Sequence, residues 1–146
     1  MPIITAEDLL TNIYPEIIDE ITRQQTHITD TAIATAIQET KMYLGRYDLL
    51  QLFGDDRYDP VIQDEYLKSI VKDIACWHLL RLASTGVDYA VFRTAYQDAI
   101  GSLKSIMSGQ AQPQGWPYLD ASSSAAITPP GNTISWNSNP RRNNYY

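Results

Sequence analysis

The sequence contains few of the residues that support redox or metal chemistry. Its 146 residues include one cysteine, Cys76, and two histidines, His27 and His78. A single thiol cannot form an internal disulfide and has no second thiol with which to hold a structural metal. The histidines are far apart and have no acids or thiols at metal-ligand spacing, so we expect structural roles for both. Cys76 and His78 cannot form a Cys-His nucleophile, because side chains two positions apart on a helix point about 200° apart.

Basic clusters and long apolar runs are also missing. The formal net charge is −6 and the sequence pI is about 4.7. Proteins that bind nucleic acids depend instead on clustered Lys and Arg. No stretch approaches the roughly 20 apolar residues that cross a bilayer, and the first residues lack the pattern of a signal peptide. The sequence therefore predicts no membrane contact and a soluble protein that is intracellular when made.

The sequence shows no motif typical of an active site. It contains no Gly-rich phosphate loop and no Gly-x-Ser-x-Gly. Asp55, Asp56 and Asp59 resemble the start of an acidic cation loop, but the Gly and terminal Glu of a calcium-binding hand are absent. We predict no catalytic residue, no metal, no cofactor and no enzyme activity. An enzyme site assembled between subunits, with Arg46, His78 or the Asp55 loop contributing, is left as an alternative.

Composition and charge both divide the chain. Charged and apolar residues alternate up to about residue 109, and Ser, Asn, Pro, Gly and Gln dominate afterwards. Residues 121–146 contain Arg141, Arg142 and no acid, which gives +2. The other 11 − 2 = 9 basic and all 17 acidic residues lie in 1–120, which gives −8. We predict a helical domain over 1–110 and an extended, partner-binding C-terminal arm over 111–146.

The hydrophobic spacing before residue 110 is that of amphipathic helices, so the predicted fold class is all-α, a small bundle of four to five helices. Thr5 caps a short first helix that ends near Asn12, and Pro15 begins the second. Thr29 is predicted to cap the third. The buried face of the third helix comprises Ile33, Ala36, Ile37 and Leu44.

The second half of this domain is predicted to form a helical hairpin. The helical pattern loosens over Asp48–Asp59, and Gly54-Asp55-Asp56 followed by Asp59-Pro60 indicates an exposed loop whose acids are expected to be only solvated. The longest helix is predicted from about Val61 to Ser84. Gly86 ends that helix and Asp88 caps the last one. The two helices pack antiparallel against the third. The apolar stripe of the last helix comprises Phe92, Tyr96, Ala99, Ile100, Leu103 and Ile106, and that of the longest includes Leu67, Ile70, Val71, Ile74, His78 and Leu82.

Aromatic residues are expected in two roles. We assign the helical Tyr43, Tyr66, Trp77 and Tyr96 to the core or to a contact between helices, and Trp116 to partner contact. The arm is too polar to fold alone, yet it carries large apolar groups, and residues 132–137 alternate like a strand that adds to an exposed sheet edge. The predicted partner-binding residues are Ile127, Ile134, Trp136, Arg141, Arg142, Tyr145 and Tyr146.

Several motifs resemble a phage family described as Mu-like head-tail connector proteins. The run Tyr43-Leu44-Gly45-Arg46-Tyr47 at a helix end is similar to that family's signature, and the Ile70–Leu79 stretch is similar to its long central helix. The opening Ile4–Leu9 is similar too. The last helix matches at Tyr96, Ala99, Ile100, Leu103, Ile106 and Gly109. The resemblance covers about residues 3–110, and the arm does not match.

This resemblance implies a structural virion protein in the neck of a tailed phage. Such adaptors form a homo-oligomeric ring, typically a dodecamer, between the portal protein and the tail or neck proteins, and DNA passes through the ring. The arm is then expected to reach the portal. A cytosolic helical regulator that binds DNA through the last two helices is the alternative, although Arg81 and Arg93 are the only basic residues near their turn.

Overall fold

The computed structural model describes residues 2–82 and 88–119, which form a small bundle of helices. A 3-10 helix, Glu7–Thr11, is followed by α1 (Pro15–Thr22), α2 (Thr26–Tyr43), α3 (Leu49–Phe53), α4 (Glu65–Leu80) and α5 (Tyr89–Ser108). The extended pairing in these residues is one isolated antiparallel bridge between Tyr47 and Tyr118. The predicted all-α bundle is therefore confirmed.

Helix α4 is the centre of the bundle and packs against both α2 and α5. The start of α2 and the end of α4 line one groove, and the end of α5 lies beside the start of α4. Neighbouring helices therefore run antiparallel, as predicted. The core between them includes five fully buried side chains, those of Ala36, Val71, Ile74, Leu79 and Leu103.

Capping residues fix several helix ends where the sequence indicates them. Pro15 occupies the first turn of α1. The Asp88 carboxylate accepts a hydrogen bond from the Ala90 amide at the start of α5, and Gly109 ends that helix with a φ of 82°. A left-handed residue at this position is typical of helix ends, and glycine adopts it without steric cost.

Two predicted helix starts are wrong. Helix α2 begins at Thr26, so Thr29 is a buried residue of the helix and not its cap. Two consecutive left-handed residues, Arg23 and Gln24, turn the chain sharply after α1, which lets α2 start four residues earlier than predicted. The longest helix among the described residues is α5, with 20 residues, whereas α4 starts only at Glu65, where the Asp64 carboxylate caps it.

The stretch over residues 48–59, where the helical pattern loosens, contains α3, which is capped by the Asp48 carboxylate. Its following turn needs glycine at position 54, because φ is +68° and a Cβ would lie 2.4 Å from the Tyr58 carbonyl oxygen. Asp55 is not merely solvated there. Its carboxylate accepts hydrogen bonds from the amides of Arg57 and Tyr58, both at 2.7 Å.

The first predicted helix is a 3-10 helix, and Thr5 does not cap it. The Asp8 carboxylate instead accepts hydrogen bonds from the Thr5 amide and hydroxyl. Leu82 was predicted to lie on the buried stripe of α4, but the helix ends at Leu80 and Leu82 is 60% exposed. Tyr66 was assigned to a packed position and is 56% exposed. Gly86 lies outside the described residues.

Residues 111–119 contain no helix, as predicted, but they pack on the helical domain and do not extend away from it. Backbone hydrogen bonds join Asp48 to Pro117 and Leu119 to Arg46. The first nine residues after the predicted boundary at residue 110 therefore lie against the helical domain. The remainder of the predicted arm, residues 120–146, lies outside the described residues.

Candidate interaction surfaces

The C-terminal segment is fastened to the chain just after α2. We call residues 116–119, together with 46–48, the arm root. The Asp48 amide donates to the Pro117 carbonyl and the Leu119 amide donates to the Arg46 carbonyl, both at 2.9 Å. The Tyr47–Tyr118 bridge lies between these two bonds. The arm root thus determines the point on the bundle from which the remaining chain continues.

Trp116 is the central side chain of the arm root. It is 4% exposed, and its indole Nε1 donates a hydrogen bond of 2.9 Å to Oδ2 of Asp64. The other oxygen of Asp64 caps α4 by accepting from the Leu67 amide. One carboxylate therefore joins the start of α4 to the arm root, and the sequence prediction that Trp116 contacts a partner is wrong.

Aromatic packing completes the arm root. The ring of Tyr47 contacts Trp116 edge to face, with centroids 5.4 Å apart, and stacks on Tyr118 at 5.0 Å. Burial raises the pKa of Tyr47, and its hydrogen bond with Tyr118 raises it further. Tyr47 is 3% exposed whereas Tyr118 is 57% exposed. The root therefore has a buried inner layer and one ring at the surface.

No local sequence signal placed Trp116 in the core. It follows Gly115 in a stretch of Gln, Pro and Gly, which is typical of a surface segment. Its binding site is supplied by Tyr47 and Asp64, which are 69 and 52 positions earlier in the chain. Such a long-range contact has no counterpart in local spacing.

A polar cluster joins the three main helices near the middle of α2. The carboxylate of Glu39 on α2 lies 2.8 Å from Nε2 of His78 on α4 and accepts a hydrogen bond of 2.7 Å from the Tyr96 hydroxyl on α5. Tyr96 also stacks on Trp77 at 5.7 Å. Sequence reasoning predicted a structural role for His78 but missed Glu39 as its partner.

The cluster changes the acid-base properties of its tyrosine. Burial raises the pKa of Tyr96 to about 12, and the hydrogen bond and negative charge of Glu39 add to the effect. Nearby, burial also raises the pKa of the Cys76 thiol to about 12. A thiol with so high a pKa stays protonated and is a poor nucleophile at neutral pH.

An open groove lies at the opposite end of α2. The 3-10 helix, α1 and the first turns of α2 enclose a volume of about 360 Å³, which we call the N-terminal groove. Leu10, Pro15 and Ile18 give it an apolar lining, and Glu7, Asp19 and Asp30 give it acidic edges. The groove lining contains no Lys or Arg.

Two polar contacts with α4 hold the 3-10 wall of this groove. The Asn12 amide donates to Oδ1 of Asp73 at 2.8 Å, and the Lys72 ammonium donates to the Thr11 hydroxyl at 3.0 Å. Burial raises the pKa of Asp73, although the Asn12 hydrogen bond and the Lys72 charge oppose that shift. Leu9, at 0% exposure, anchors the same helix in the core.

Large apolar side chains are exposed at several places on the bundle. Tyr14 lies beside the N-terminal groove at 75% exposure, Met42 lies near the end of α2 at 79%, and Val61 precedes α4 at 71%. Apolar side chains that are exposed singly are common on protein surfaces and do not by themselves mark an interface. The full set includes Leu10, Tyr14, Met42, Leu50, Tyr58, Val61, Tyr66, Leu82, Val91, Met107 and Tyr118.

The predicted partner-binding residues lie outside the described part of the chain. They are Ile127, Ile134, Trp136, Arg141, Arg142, Tyr145 and Tyr146. The structure therefore brings none of them into a described contact. Their role stays a prediction from the sequence.

Comparisons of this chain with protein-family models, with curated proteins and with solved structures find no match. Across residues 2–82 and 88–119, no three His, Cys, Asp or Glu side chains are grouped closely enough to hold a metal ion. Within the same ranges, no helix has the length and apolar character needed to span a bilayer.

Proposed function

We propose that this chain is a structural protein of the neck of a tailed phage. Copies of it form a ring, expected to be a dodecamer, between the portal protein and the tail or neck proteins, and DNA passes through the ring as cargo. The proposal begins from the sequence resemblance over residues 3–110. The arrangement of the arm root is the structural observation that supports it best.

The motif that carries the resemblance contributes directly to the arm root. Leu44 and Tyr47 are 0% and 3% exposed, and the Arg46 carbonyl accepts the hydrogen bond from Leu119. A recognition arm gains affinity when its starting point is held in place, because less conformational freedom is lost on binding. A fixed root on a compact bundle is therefore well suited to an adaptor that reaches a neighbouring protein.

A ring requires two different contact surfaces on each subunit. In a ring with rotational symmetry, one surface on each subunit meets a different surface on the next. Met42 near the end of α2 and Tyr14 just before α1 are both exposed, at 79% and 75%. Because they belong to different helices, they are available for two different contacts.

The negative body charge suits a protein through which DNA moves. With −8 over residues 1–120, copies around a channel would repel phosphate and would not retain the genome. Basic residues, in contrast, would bind it. DNA is then a passing cargo and not a bound ligand.

The proposal is tested by mixing the purified full-length chain with the portal protein of the same phage. Size-exclusion chromatography with light scattering gives the mass, and electron microscopy gives the shape. We expect a ring that co-elutes with the portal. A chain that remains monomeric with the portal and shifts a DNA duplex instead would contradict the adaptor and favour a DNA-binding regulator.

A matched pair of arm variants tests the predicted contact residues. Replacing both Ile134 and Trp136 with Ser should weaken portal binding about thirtyfold or more, because large buried anchors carry most of the energy of an interface and the arm either meets the portal or holds together the ring that meets it. Replacing Asn132 and Asn137 with Ser alters the same stretch at equal length and should leave the affinity within about threefold. Equal losses for both pairs would contradict the assigned anchors.

A further inference from the structure

We propose that the N-terminal groove binds the C-terminal segment 132–146 of a second copy of this chain. In this arrangement Trp136 occupies the apolar part of the groove, and Arg141 and Arg142 lie against its acidic edges. The inference goes beyond the adaptor role, since it names the contact that links one copy to the next. It requires self-association but not the portal.

The shape and lining of the groove suit a large apolar side chain. Its volume of about 360 Å³ lies within the range of pockets that bind ligands through one or two bulky groups. Leu10 is 47% exposed on one wall although it is a large apolar residue. An indole ring placed against Leu10, Pro15 and Ile18 would remove this apolar surface from water.

Charge identifies the arm as the occupant. The groove is lined by Glu7, Asp19 and Asp30 and by no basic residue. Segment 121–146 carries Arg141 and Arg142 and no acid. The apolar lining and acidic edges of the groove are thus complementary to a segment in which apolar and basic side chains lie close together. Opposite charges of this kind increase the association rate and fix the orientation of the bound segment.

The length of the arm allows it to reach a neighbouring copy. The root at Leu119 and the groove lie at opposite ends of α2, whose 18 residues span about 27 Å. The 17 bonds of chain between Leu119 and Trp136 reach about 55 Å when extended. Because root and groove are at opposite ends, head-to-tail copies place the root of one near the groove of the next.

Disulfide trapping between two single variants tests the contact in the full-length protein. A Thr26→Cys chain carries its thiol at the groove, and a Ser138→Cys chain carries it beside Trp136. Mixing the two and oxidising them mildly should give a disulfide-linked dimer on a non-reducing gel. Native Cys76 is buried with a pKa of about 12, so it does not compete.

The control replaces the groove thiol with one at the far end of α2. Met42 is 79% exposed, so a cysteine at this position is accessible. When mixed with the Ser138→Cys chain, the Met42→Cys chain should give about tenfold less dimer than the Thr26→Cys chain gives. A chain carrying both Thr26→Cys and Ser138→Cys tests contact within one copy. If it forms only an internal disulfide, or if both partners react equally with Ser138→Cys, the proposal is wrong.

Charge reversal provides a second, independent readout. Asp19 and Asp30 are exposed, so replacing both with Lys should leave the helical circular dichroism unchanged while reducing the dimer about tenfold. Replacing Arg141 and Arg142 with Glu should reduce it similarly, and combining the two sets should restore it. Failure of the combination to restore the dimer would contradict the pairing.

Portal binding, measured on the same variants, separates this inference from the proposed function. Dimer trapping without any portal binding would disprove the adaptor role and leave the arm contact intact. Portal binding by a ring that shows no trapping above the Met42→Cys control would disprove the arm contact alone.

Discussion

The two ends of α2 are built differently. At its C-terminal end, Trp116 and Tyr47 fill the space between helices and are 4% and 3% exposed. At its N-terminal end, an apolar groove of about 360 Å³ stays open between the 3-10 helix, α1 and α2. One helix therefore has a closed end, where the chain packs on itself, and an open end.

This difference separates structural aromatic residues from those available to partners. The closed end is held by buried rings and by the shared Asp64 carboxylate, so its residues support the fold. The wall of the open end is held partly by polar contacts with α4 and keeps apolar surface exposed. A partner can therefore gain buried area at the open end without displacing any side chain.

The largest expected effect on stability comes from removing the buried Trp116 side chain at the closed end. Trp116→Ala should lower the free energy of unfolding by about 3–5 kcal/mol, because a buried ring is lost and a cavity remains. Loss of the indole hydrogen bond also leaves one oxygen of Asp64 without that partner. Urea unfolding followed by circular dichroism measures the change.

Tyr118→Ala is the matched control for this prediction. Tyr118 belongs to the same arm root but is 57% exposed, so its loss should cost less than about 1.5 kcal/mol. Equal costs for the two variants would mean that the closed end does not depend on the buried indole.

The next effect concerns the middle of α2, between the two ends. Glu39→Ala removes the carboxylate that contacts both His78 and Tyr96 and should cost about 1–3 kcal/mol. Glu39→Gln keeps an oxygen that can accept from Tyr96 and should cost less than half as much. Thermal unfolding of both variants gives the comparison.

Spectroscopy tests the same cluster without reference to stability. Glu39 contributes to raising the pKa of Tyr96 to about 12, so Glu39→Gln should lower that pKa. The absorbance of ionised tyrosine is titrated in each protein and in the same protein carrying Tyr96→Phe. The difference between the two curves gives the titration of Tyr96 without that of the other nine tyrosines. An unchanged pKa would show that Glu39 does not act on Tyr96.

A smaller effect of opposite sign is expected at the open end. Gln24 lines the groove with a φ of 62°, a left-handed conformation that costs a non-glycine residue about 1–2 kcal/mol. Gln24→Gly removes this cost but loses more chain entropy on folding, which leaves a gain of about 0.5–1 kcal/mol. Thermal unfolding measures it.

The neighbouring residue provides the control for this gain. Gln25 has a φ of −97°, so glycine offers no conformational advantage there. Gln25→Gly should therefore change stability by less than about 0.5 kcal/mol, because Gln25 is the N-cap of α2, where glycine is tolerated. A Gln24→Gly variant that is no more stable than Gln25→Gly would contradict the assigned backbone strain.

Local sequence signals were sufficient for much of the bundle. The apolar spacing of α2 and α5 and the capping residues Asp88 and Gly109 predicted helices that the structure contains. These features depend on residues a few positions apart. Helix starts that depend on a neighbouring turn, such as Thr26 after Arg23 and Gln24, were misplaced because the turn carries no Gly or Pro.

The spacing of residues along the sequence could not predict the long-range contacts. The cluster of Glu39, His78 and Tyr96 requires three helices to be docked before its members meet. The N-terminal groove likewise depends on how the 3-10 helix and α1 lie on α2. Resemblance drew attention to residues 43–47, but only the structure showed that Arg46 and Tyr47 form part of the arm root.

The smallest expected effect tests the polar attachment of the groove wall. Burial raises the pKa of Asp73 above its ordinary value of 3.8, so the folded protein holds this proton more tightly than the unfolded chain. The stability contributed by this group is complete below pH 3.8 and is lost as the pH rises through the raised pKa. Asn at position 73 keeps an oxygen for Asn12 and does not titrate.

The unfolding free energy of the natural protein, relative to Asp73→Asn, should therefore fall as the pH rises through this window. The fall should be about 0.5 kcal/mol, because solvent screens a half-exposed carboxylate. Urea unfolding at several pH values on both sides of the window measures it. Trp116→Phe at the closed end introduces no titrating group, so its effect should not vary with pH in this window. A rise with pH in the unfolding free energy of the natural protein, relative to Asp73→Asn, would show that the Asn12 and Lys72 contacts outweigh burial at this wall.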